Sequence, residues 1–158
     1  EKYFKNNRDL ILDTFSMTQE EERYLRSKYD LTNSPVSLHV RRGDYLEREH
    51  YHTNLMKSDY YDKAIELFKD RPIIVFSDDP TWVREVFPEF SVAEEKDYLE
   101  LYLMSLCDSN IVANSSFSWW GAWLNDNPKK TVVAPKNWFG PDHNVDTKDL
   151  LPEGWTLL

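Results

Sequence analysis

Short apolar runs alternate with segments of helical periodicity through the middle of the chain. Runs rich in β-branched residues predict buried strands, and these occupy residues 36–40, 72–76, 90–93, 111–113 and 132–134. Apolar positions spaced three and four apart predict helices between them, after Ser58, over 81–87, around 99–106 and over 118–124. Apolar strands separated by helices predict an α/β fold, a Rossmann-like and mainly parallel sheet with helices on both faces.

The segments on either side of this alternation are more polar. Thr18 and Glu21 have the spacing of a capping box, which opens a helix after a polar and irregular start. We therefore expect 1–34 to be a helical connector, 35–141 the Rossmann-like core and 142–158 a C-terminal tail. A length of 158 residues favours a single domain.

Composition and charge narrow the classes of ligand. Hydrophobic residues make up 41% of the chain and aromatic residues 15%, which excludes a disordered chain. No apolar run approaches the roughly 20 residues that a membrane helix requires. The net charge of -9 repels nucleic acid, so we expect no nucleic-acid partner. An anionic ligand must instead be held by a local cationic site.

Polar residues follow three of the predicted strands, at the point where each strand ends. In parallel sheets, ligands bind beyond the carboxyl ends of the strands, where helix N-termini and loops converge. The three clusters are Arg41-Arg42-Gly43-Asp44, Ser77-Asp78-Asp79 and Asn114-Ser115-Ser116. All three fall on the same predicted edge of the sheet.

The arginine pair and the serine turn suit an anionic ligand. An arginine can grip a phosphate with two parallel hydrogen bonds, which suits a diphosphate leaving group. The serine turn offers hydroxyls and backbone N–H groups at the start of a helix. Each feature also has a structural explanation: a surface ion pair with Asp44 for the arginines, and ordinary N-capping for Ser115 or Ser116.

Carboxylates near the same edge suit a nucleoside. Asp78 or Asp79 can accept hydrogen bonds from ribose hydroxyls or a guanine edge, or can cap the helix that follows. Glu100 lies near the N-terminus of its predicted helix, to one side of the apolar stripe. Its carboxylate can accept the paired N1 and N2 donors of guanine; the alternative is a solvated helix residue.

Two other groups have weaker functional interpretations. His50 and His52 lie near Glu47 and Glu49, but no second cluster with ligand spacing accompanies them. We therefore favour a solvated loop and predict no metal. Residues 42–44 also match the integrin-binding tripeptide, which is a weak signal for an adhesive protein.

Two motifs resemble those of the α-1,2-fucosyltransferases, glycosyltransferase family 11. HVRRGDY at 39–45 is similar to the family signature, and NIVANSSFSWWGAWL at 110–124 is similar to the second family motif. The resemblance implies the C-terminal half of a two-domain, GT-B-like fold that binds GDP-fucose. It also implies transfer of L-fucose, with inversion, to the 2-hydroxyl of a galactose-terminated glycan, without a metal or other cofactor.

The resemblance implies roles for individual residues. Arg41 matches the arginine that holds the β-phosphate, and His39 matches a histidine beside the diphosphate. Ser115 and Ser116 match the phosphate-binding turn, residues 77–80 are similar to a nucleoside-contacting turn, and Glu100 stands where related enzymes use an aspartate for guanine. The expected substrate-binding set is His39, Arg41, Arg42, Asp78, Asp79, Glu100, Asn114, Ser115 and Ser116.

A metal-free transfer needs a cation for the leaving group and a base for the acceptor hydroxyl. Arg41 and a helix N-terminus can stabilise the charge that develops on GDP. The base must take the acceptor proton as the oxocarbenium-like centre forms. Asp44, Glu47 and Glu49 lie in the right loop, and the choice among them stays open. We take Arg41, Asp44 and Glu49 as the catalytic candidates.

The glycine-rich GGLGNQ motif of the family's N-terminal, acceptor-side domain does not occur in these 158 residues. We therefore expect about one half of an enzyme, which binds GDP or GDP-fucose weakly and transfers little or no fucose. The expected location is the cytoplasm or the cytoplasmic face of a bacterial membrane, with peripheral attachment through other regions, or the Golgi in a eukaryote. The alternatives are a non-catalytic nucleotide- or carbohydrate-binding module and a fucosyltransferase of another linkage class.

Overall fold

The computed structural model describes residues 2–143 and 145–158. Its strands are β1 Val36–Val40, β2 Ile73–Ser77, β3 Ser91–Val92, β4 Ser109–Ile111, β5 Val132–Ala134 and β6 Thr156–Leu157. Its helices are α1 Arg8–Thr14, α2 Gln19–Lys28, α3 Tyr60–Glu66, α4 Pro80–Val86, α5 Asp97–Leu106 and α6 Ser116–Leu124. Within the described residues, none of these helices has the length and apolar character needed to cross a bilayer.

The strands form one parallel sheet in the order β3-β2-β1-β4-β5-β6. Every pair of neighbouring strands in the described chain is parallel. This arrangement confirms the predicted α/β class. Because β1 lies between β2 and β4, the direction in which successive strands are added reverses beside β1. Such a reversal opens a crevice at the carboxyl ends of the strands.

Helices cover both faces of the sheet, as predicted. Successive side chains of a strand point to opposite faces. On one face, Ile73 and Val75 pack in a core with residues of α3 and α4. On the other face, Ile74 and Phe76 pack with residues of α2 and α5, and α6 packs over β5. The apolar strands are therefore buried from both sides, which explains their continuous hydrophobic runs.

The first helical signal in the sequence is confirmed in detail. The Thr18 hydroxyl accepts a hydrogen bond from the Glu21 backbone N–H at 3.2 Å. In return, a Glu21 carboxylate oxygen accepts one from the Thr18 backbone N–H at 2.7 Å. The two bonds form a complete capping box and fix the start of α2.

Both ends of the chain contain elements that the sequence pattern did not predict. α1 lies in the stretch expected to be irregular, and β6 lies in the expected tail. Ile11 and Leu12 of α1 pack in the same core as α6, and Trp155 beside β6 joins that core. Contacts with residues far away in sequence therefore stabilise these short elements, whose own residues carry little periodicity.

Candidate functional site

A cleft of about 600 Å³ opens at the carboxyl edge of the sheet. Its volume lies in the range typical of small-molecule sites. The walls come from the end of β1, the turn after β2, the segment after β3, and the first turns of α5 and α6. The lining includes His39, Arg41, Ser77, Asp78, Glu94, Glu95, Asp97, Glu100 and Phe117. Four residues of the predicted substrate-binding set, at 39, 41, 78 and 100, thus share one cleft.

Arg41 lies at the cationic side of the cleft, paired with two carboxylates. Its Nη2 is 2.6 Å from Oδ1 of Asp44, and its Nη1 is 3.1 Å from Oδ2 of Asp78. The hydrogen bond from Arg41 lowers the pKa of Asp44 below its ordinary value. Asp44 is half exposed, with 50% of its side chain accessible. An entering phosphate can therefore replace Asp44 on the guanidinium.

Arg42, the next residue, has different surroundings. Its guanidinium carbon lies 3.6 Å from the centre of the Trp82 ring, and its Nε is 3.2 Å from Oδ2 of Asp79. Its side chain is only 15% exposed. Asp79 also caps α4, because its Oδ1 accepts a hydrogen bond from the Trp82 backbone N–H at 3.1 Å. The two adjacent arginines therefore contact different residues.

Gly43 allows the loop after β1 to contact the turn after β2 closely. Its φ is +20°, and a Cβ at this position would lie 2.4 Å from Oδ2 of Asp78. The other Asp78 oxygen accepts a hydrogen bond from the Arg42 backbone N–H at 2.9 Å. A side chain at residue 43 would therefore displace the carboxylate that contacts Arg41.

His39 is a neutral, buried member of the cleft wall. Only 4% of the residue is exposed, and its Nδ1 has no hydrogen-bond partner among the described residues. Burial, and secondarily the charge of Arg41, lower the pKa of His39 to about 3. Its ring lies 5.7 Å from that of Phe117, which also lines the cleft. The imidazole can exchange hydrogen bonds with a ligand but carries no charge at neutral pH.

Glu100 belongs to the acidic side of the cleft. One of its oxygens accepts a hydrogen bond from the Glu95 backbone N–H at 3.2 Å. Burial raises the pKa of Glu100 to about 7, and the charges of Asp97 and Glu95 act in the same direction. The cleft thus has a carboxylate that changes charge near neutral pH and a permanently charged arginine in the same lining.

The three predicted residues of the turn at 114–116 have different surroundings, and none of them lines the cleft. The Asn114 amide is buried and donates to the carbonyls of Thr53 at 3.0 Å and Trp138 at 2.9 Å, so it joins two loops. Ser115 is buried at the N-cap of α6, without a side-chain capping bond. Ser116 is exposed and borders a separate apolar hollow with Trp120. The residue of this turn region that reaches the cleft wall is Phe117.

The predicted base candidates lie in the loop after β1, outside the lining of the cleft. Glu49 accepts hydrogen bonds from Lys57 at 2.5 Å and Asn54 at 2.7 Å, and these bonds lower its pKa. His52 stacks on Tyr45 with ring centres 3.8 Å apart. Within the described residues, no three His, Cys, Asp or Glu side chains come together as a metal site.

Three residues near the site were not predicted from the sequence. Phe117 forms part of the cleft wall, Trp82 stacks on Arg42, and Tyr45 lies 5.3 Å below the Arg41 guanidinium. Phe117 and Tyr45 fall inside the two family-like motifs, so proximity to a strand end could have identified them. Trp82 follows the capping residue Asp79 by three positions, and only tertiary structure shows that it contacts Arg42.

Comparisons with known proteins identify relatives of this chain. The model of glycosyl transferase family 11 matches residues 4–158. The O-antigen biosynthesis glycosyltransferase WbnK of Escherichia coli is 38% identical over 173 residues, covering 97% of this chain and 56% of the relative. An alpha-1,2-colitosyltransferase of Escherichia coli is 34% identical over 175 residues, covering 100% of this chain and 59% of the relative. The chain therefore spans little more than half the length of these relatives.

A structural similarity was also found with a NodZ alpha-1,6-fucosyltransferase in a crystal soaked with GDP-fucose. The TM-score is 0.44 and the sequence identity 19%. The match covers 69% of this chain and 43% of that chain.

Proposed function

We propose, from the premise that this chain belongs to glycosyl transferase family 11, that it forms the donor-binding half of a glycosyltransferase. The proposed donor is GDP-fucose, and the proposed reaction transfers L-fucose, with inversion, to the 2-hydroxyl of a galactose-terminated glycan. The observation that carries the proposal is the cleft that Arg41 and Glu100 both line. A guanine nucleotide requires a cation for its diphosphate and an acceptor for its base.

The acidic side of the cleft supports guanine as the base. Guanine presents adjacent N1–H and N2–H donors, and an ionised carboxylate accepts both. Adenine has no donor at N1, so it cannot form the same pair of hydrogen bonds. Glu100 is half-buried in the lining, where the lower local dielectric strengthens a hydrogen bond to its carboxylate. The proposal therefore includes selection of GDP over ADP.

The cationic side supports departure of the diphosphate. The bond that breaks joins C1 of fucose to an oxygen of the β-phosphate, and its electron pair leaves with GDP. The Arg41 guanidinium can stabilise that charge with charge-assisted hydrogen bonds. The first N–H groups of α6 have no partner within the helix, and Phe117 in that first turn borders the cleft. This helix end supplies a second favourable potential for an anion.

The acceptor hydroxyl must lose its proton as the new bond to C1 forms. Asp44 and Glu49 are the proposed candidates to receive the proton. Both are held ionised, because hydrogen bonds from Arg41 and from Lys57, respectively, lower their pKa values. A diphosphate that takes Arg41 would release Asp44 for this role, whereas Glu49 keeps its contacts with Lys57 and Asn54. Asp44→Asn and Glu49→Gln separate the two candidates.

The name of one relative points to an alternative donor sugar. The 34% identical relative is named an alpha-1,2-colitosyltransferase. Its named linkage supports attachment to a 2-hydroxyl, while its named sugar makes a nucleotide-activated colitose the alternative donor. Parallel transfer assays with GDP-fucose and activated colitose, using one β-galactoside acceptor, distinguish the two sugars.

The experiment that tests the proposed function is calorimetric titration of this chain with GDP, GDP-fucose and ADP. We expect both guanine nucleotides to bind in the presence of EDTA and ADP to bind much more weakly. Arg41→Ala should weaken GDP binding about 10- to 100-fold, as expected for loss of charge-assisted hydrogen bonds. Arg26→Ala, in an exposed ion pair with Glu22 on α2, is the matched control and should bind GDP normally.

Other outcomes of the titration would contradict parts of the proposal. Equal affinity for GDP and ADP would contradict guanine recognition by Glu100. Normal GDP binding by Arg41→Ala would contradict the proposed diphosphate contact. Guanine-selective binding without release of fucose, even when the acceptor-side half is supplied, would favour a non-catalytic nucleotide-binding module.

A further inference from the structure

The two adjacent arginines after β1 differ in their contacts, and we infer that Arg42 is a positioning residue that holds Arg41 toward the cleft without touching the donor. The inference rests on the proposed function of the cleft as a donor site. It assigns Arg42, Asp79 and Trp82 a common role as the support of the loop after β1. Arg41 alone of the two arginines lines the cleft in the described chain.

The Arg42 side chain makes two contacts at the start of α4. One face of its guanidinium lies 3.6 Å from the centre of the Trp82 ring, and its Nε pairs with Asp79 at 3.2 Å. A planar guanidinium can stack by its face and donate by its edge at the same time, which an ammonium group cannot do. Arg42 stacks on Trp82 of α4 and donates to Asp79 at the N-cap of that helix, and only 15% of its side chain is exposed.

The backbone of Arg42 also contacts the turn after β2. The Arg42 N–H donates to Oδ1 of Asp78 at 2.9 Å, and Oδ2 of Asp78 contacts Nη1 of Arg41 at 3.1 Å. One carboxylate therefore links the loop backbone to the Arg41 side chain. Gly43 lets this carboxylate lie against the loop, because any Cβ at residue 43 would overlap with Asp78.

These contacts form a continuous path from α4 to the cleft. Trp82 and Asp79 hold the Arg42 side chain, and the Arg42 backbone and Arg41 share Asp78. Among the described residues, the cleft lining contains Arg41 and Asp78 and does not contain Arg42, Asp79 or Trp82. Loss of Arg42 should therefore affect the diphosphate only through the position of Arg41.

A double-mutant cycle with Arg41 tests this dependence. GDP and guanosine are titrated into the wild type and into Arg42→Lys, Trp82→Leu and Trp82→Phe, each alone and combined with Arg41→Ala. Arg42→Lys and Trp82→Leu should each weaken GDP binding about tenfold and leave guanosine binding unchanged, because both variants lose the stacking contact and Arg42→Lys also loses the Nε bond to Asp79. Trp82→Phe keeps an aromatic face and should retain most of the wild-type affinity for GDP.

The combined variants decide between positioning and direct contact. If Arg42 acts through Arg41, adding Arg42→Lys or Trp82→Leu to Arg41→Ala causes no further loss of GDP affinity. A further loss would overturn the inference, because it would mean that Arg42 contacts the phosphate independently. Full GDP affinity in Trp82→Leu would overturn it as well. Arg26→Lys, in a surface ion pair, is the control, and thermal melting shows that each variant is folded.

A ligand-free measurement keeps the inference testable if the wild-type chain binds no GDP, an outcome that would contradict the proposed function. The backbone amides of residues 42 and 82 donate to Asp78 and Asp79, respectively. Their hydrogen exchange should be about tenfold faster in Trp82→Leu and Arg42→Lys than in Arg26→Lys. Unchanged protection of both amides would show that Arg42 and Trp82 do not hold the loop.

Discussion

Glu100 makes recognition of the base sensitive to pH. Because its raised pKa is about 7, Glu100 is protonated in about half of the molecules near neutral pH. Only the ionised form accepts both guanine donors, so guanosine should bind about tenfold more tightly at pH 8 than at pH 6. Guanosine is the suitable probe, because it lacks a phosphate that titrates in this range. Calorimetry in two buffers should also detect protons released on binding below pH 7.

The control variants for this pH dependence are Glu100→Gln and Asp62→Asn. Glu100→Gln should bind guanosine weakly and with the same affinity at both pH values, whereas Asp62→Asn on α3 should behave as the wild type. His39 does not contribute, since burial lowers its pKa to about 3. If guanosine affinity still depends on pH in Glu100→Gln, another titrating group causes the dependence.

Ionisation of Glu100, which favours guanosine binding, disfavours folding. The pKa of Glu100 is about 7 in the folded chain against an ordinary value of 4.5, because burial disfavours its charged form. Protonated Glu100 therefore contributes stability fully below pH 4.5, and this contribution is lost as the pH rises through 7. Because Glu100 is only half-buried, solvent screens part of this effect, and urea unfolding at pH 8 should show Glu100→Gln to be more stable than the wild type by roughly 2 kcal/mol, less than the full pKa shift would give. If the wild type and Glu100→Gln are equally stable at pH 8, burial of the Glu100 charge does not destabilise the folded chain.

Asp44 competes with a ligand for Arg41. Its carboxylate is 2.6 Å from Nη2 of Arg41 and half exposed. Asp44→Asn removes this competing charge, and we expect GDP affinity to rise about threefold, the size of an exposed ion pair. Asp59→Asn, which breaks a surface pair with Lys63, is the matched control. Weaker GDP binding in Asp44→Asn would mean that Asp44 instead holds Arg41 in its binding position.

At the scale of elements, Asn110 joins two strands and two helices near the amino ends of the strands. Its Nδ2 donates to the Ser37 hydroxyl at 2.7 Å and to the Met104 carbonyl at 2.8 Å. Its Oδ1 accepts from Asn125 at 2.9 Å. Asn110→Ala removes these three buried hydrogen bonds and should destabilise the chain by about 3 kcal/mol.

Urea unfolding measures the effect of Asn110→Ala, with the exposed Asn137→Ala as control. GDP affinity should not change in either variant, because Asn110 pairs with Ser37 near the start of β1 and the cleft lies at the other end. A large loss of GDP affinity in a folded Asn110→Ala would show that the two ends of the sheet are coupled.

At the scale of the whole molecule, both chain ends pack into the core beside α6. Trp155 lies 5.8 Å from Trp119 between ring centres, and Phe4 lies 5.4 Å from Trp123. Trp155→Ala removes a half-buried indole and should destabilise the chain by about 2 kcal/mol. Thermal unfolding should remain a single transition, as expected for one domain. Two separate transitions would show that the ends unfold independently of the 35–141 core.

Local chemistry was enough to predict most elements and the location of the site. The alternation of apolar runs and helical spacing identifies the strands from 36 to 134, because side-chain periodicity depends only on neighbouring residues. The capping box at Thr18 is similarly local. The edge that carries the arginine, aspartate and serine clusters also follows, since parallel strands must end on the same side. These features required no knowledge of strand order.

Tertiary structure decided the role that each polar residue can have. Arg41 and Arg42 are chemically identical neighbours, and what separates them is Asp78, Asp79 and Trp82, which lie on another strand end and helix. The charge state of Glu100 depends on burial by other segments, and α1 and β6 form against residues far away in sequence. Periodicity reports which side of an element is apolar, whereas the electrostatics and contacts of a site depend on atoms that only folding brings together.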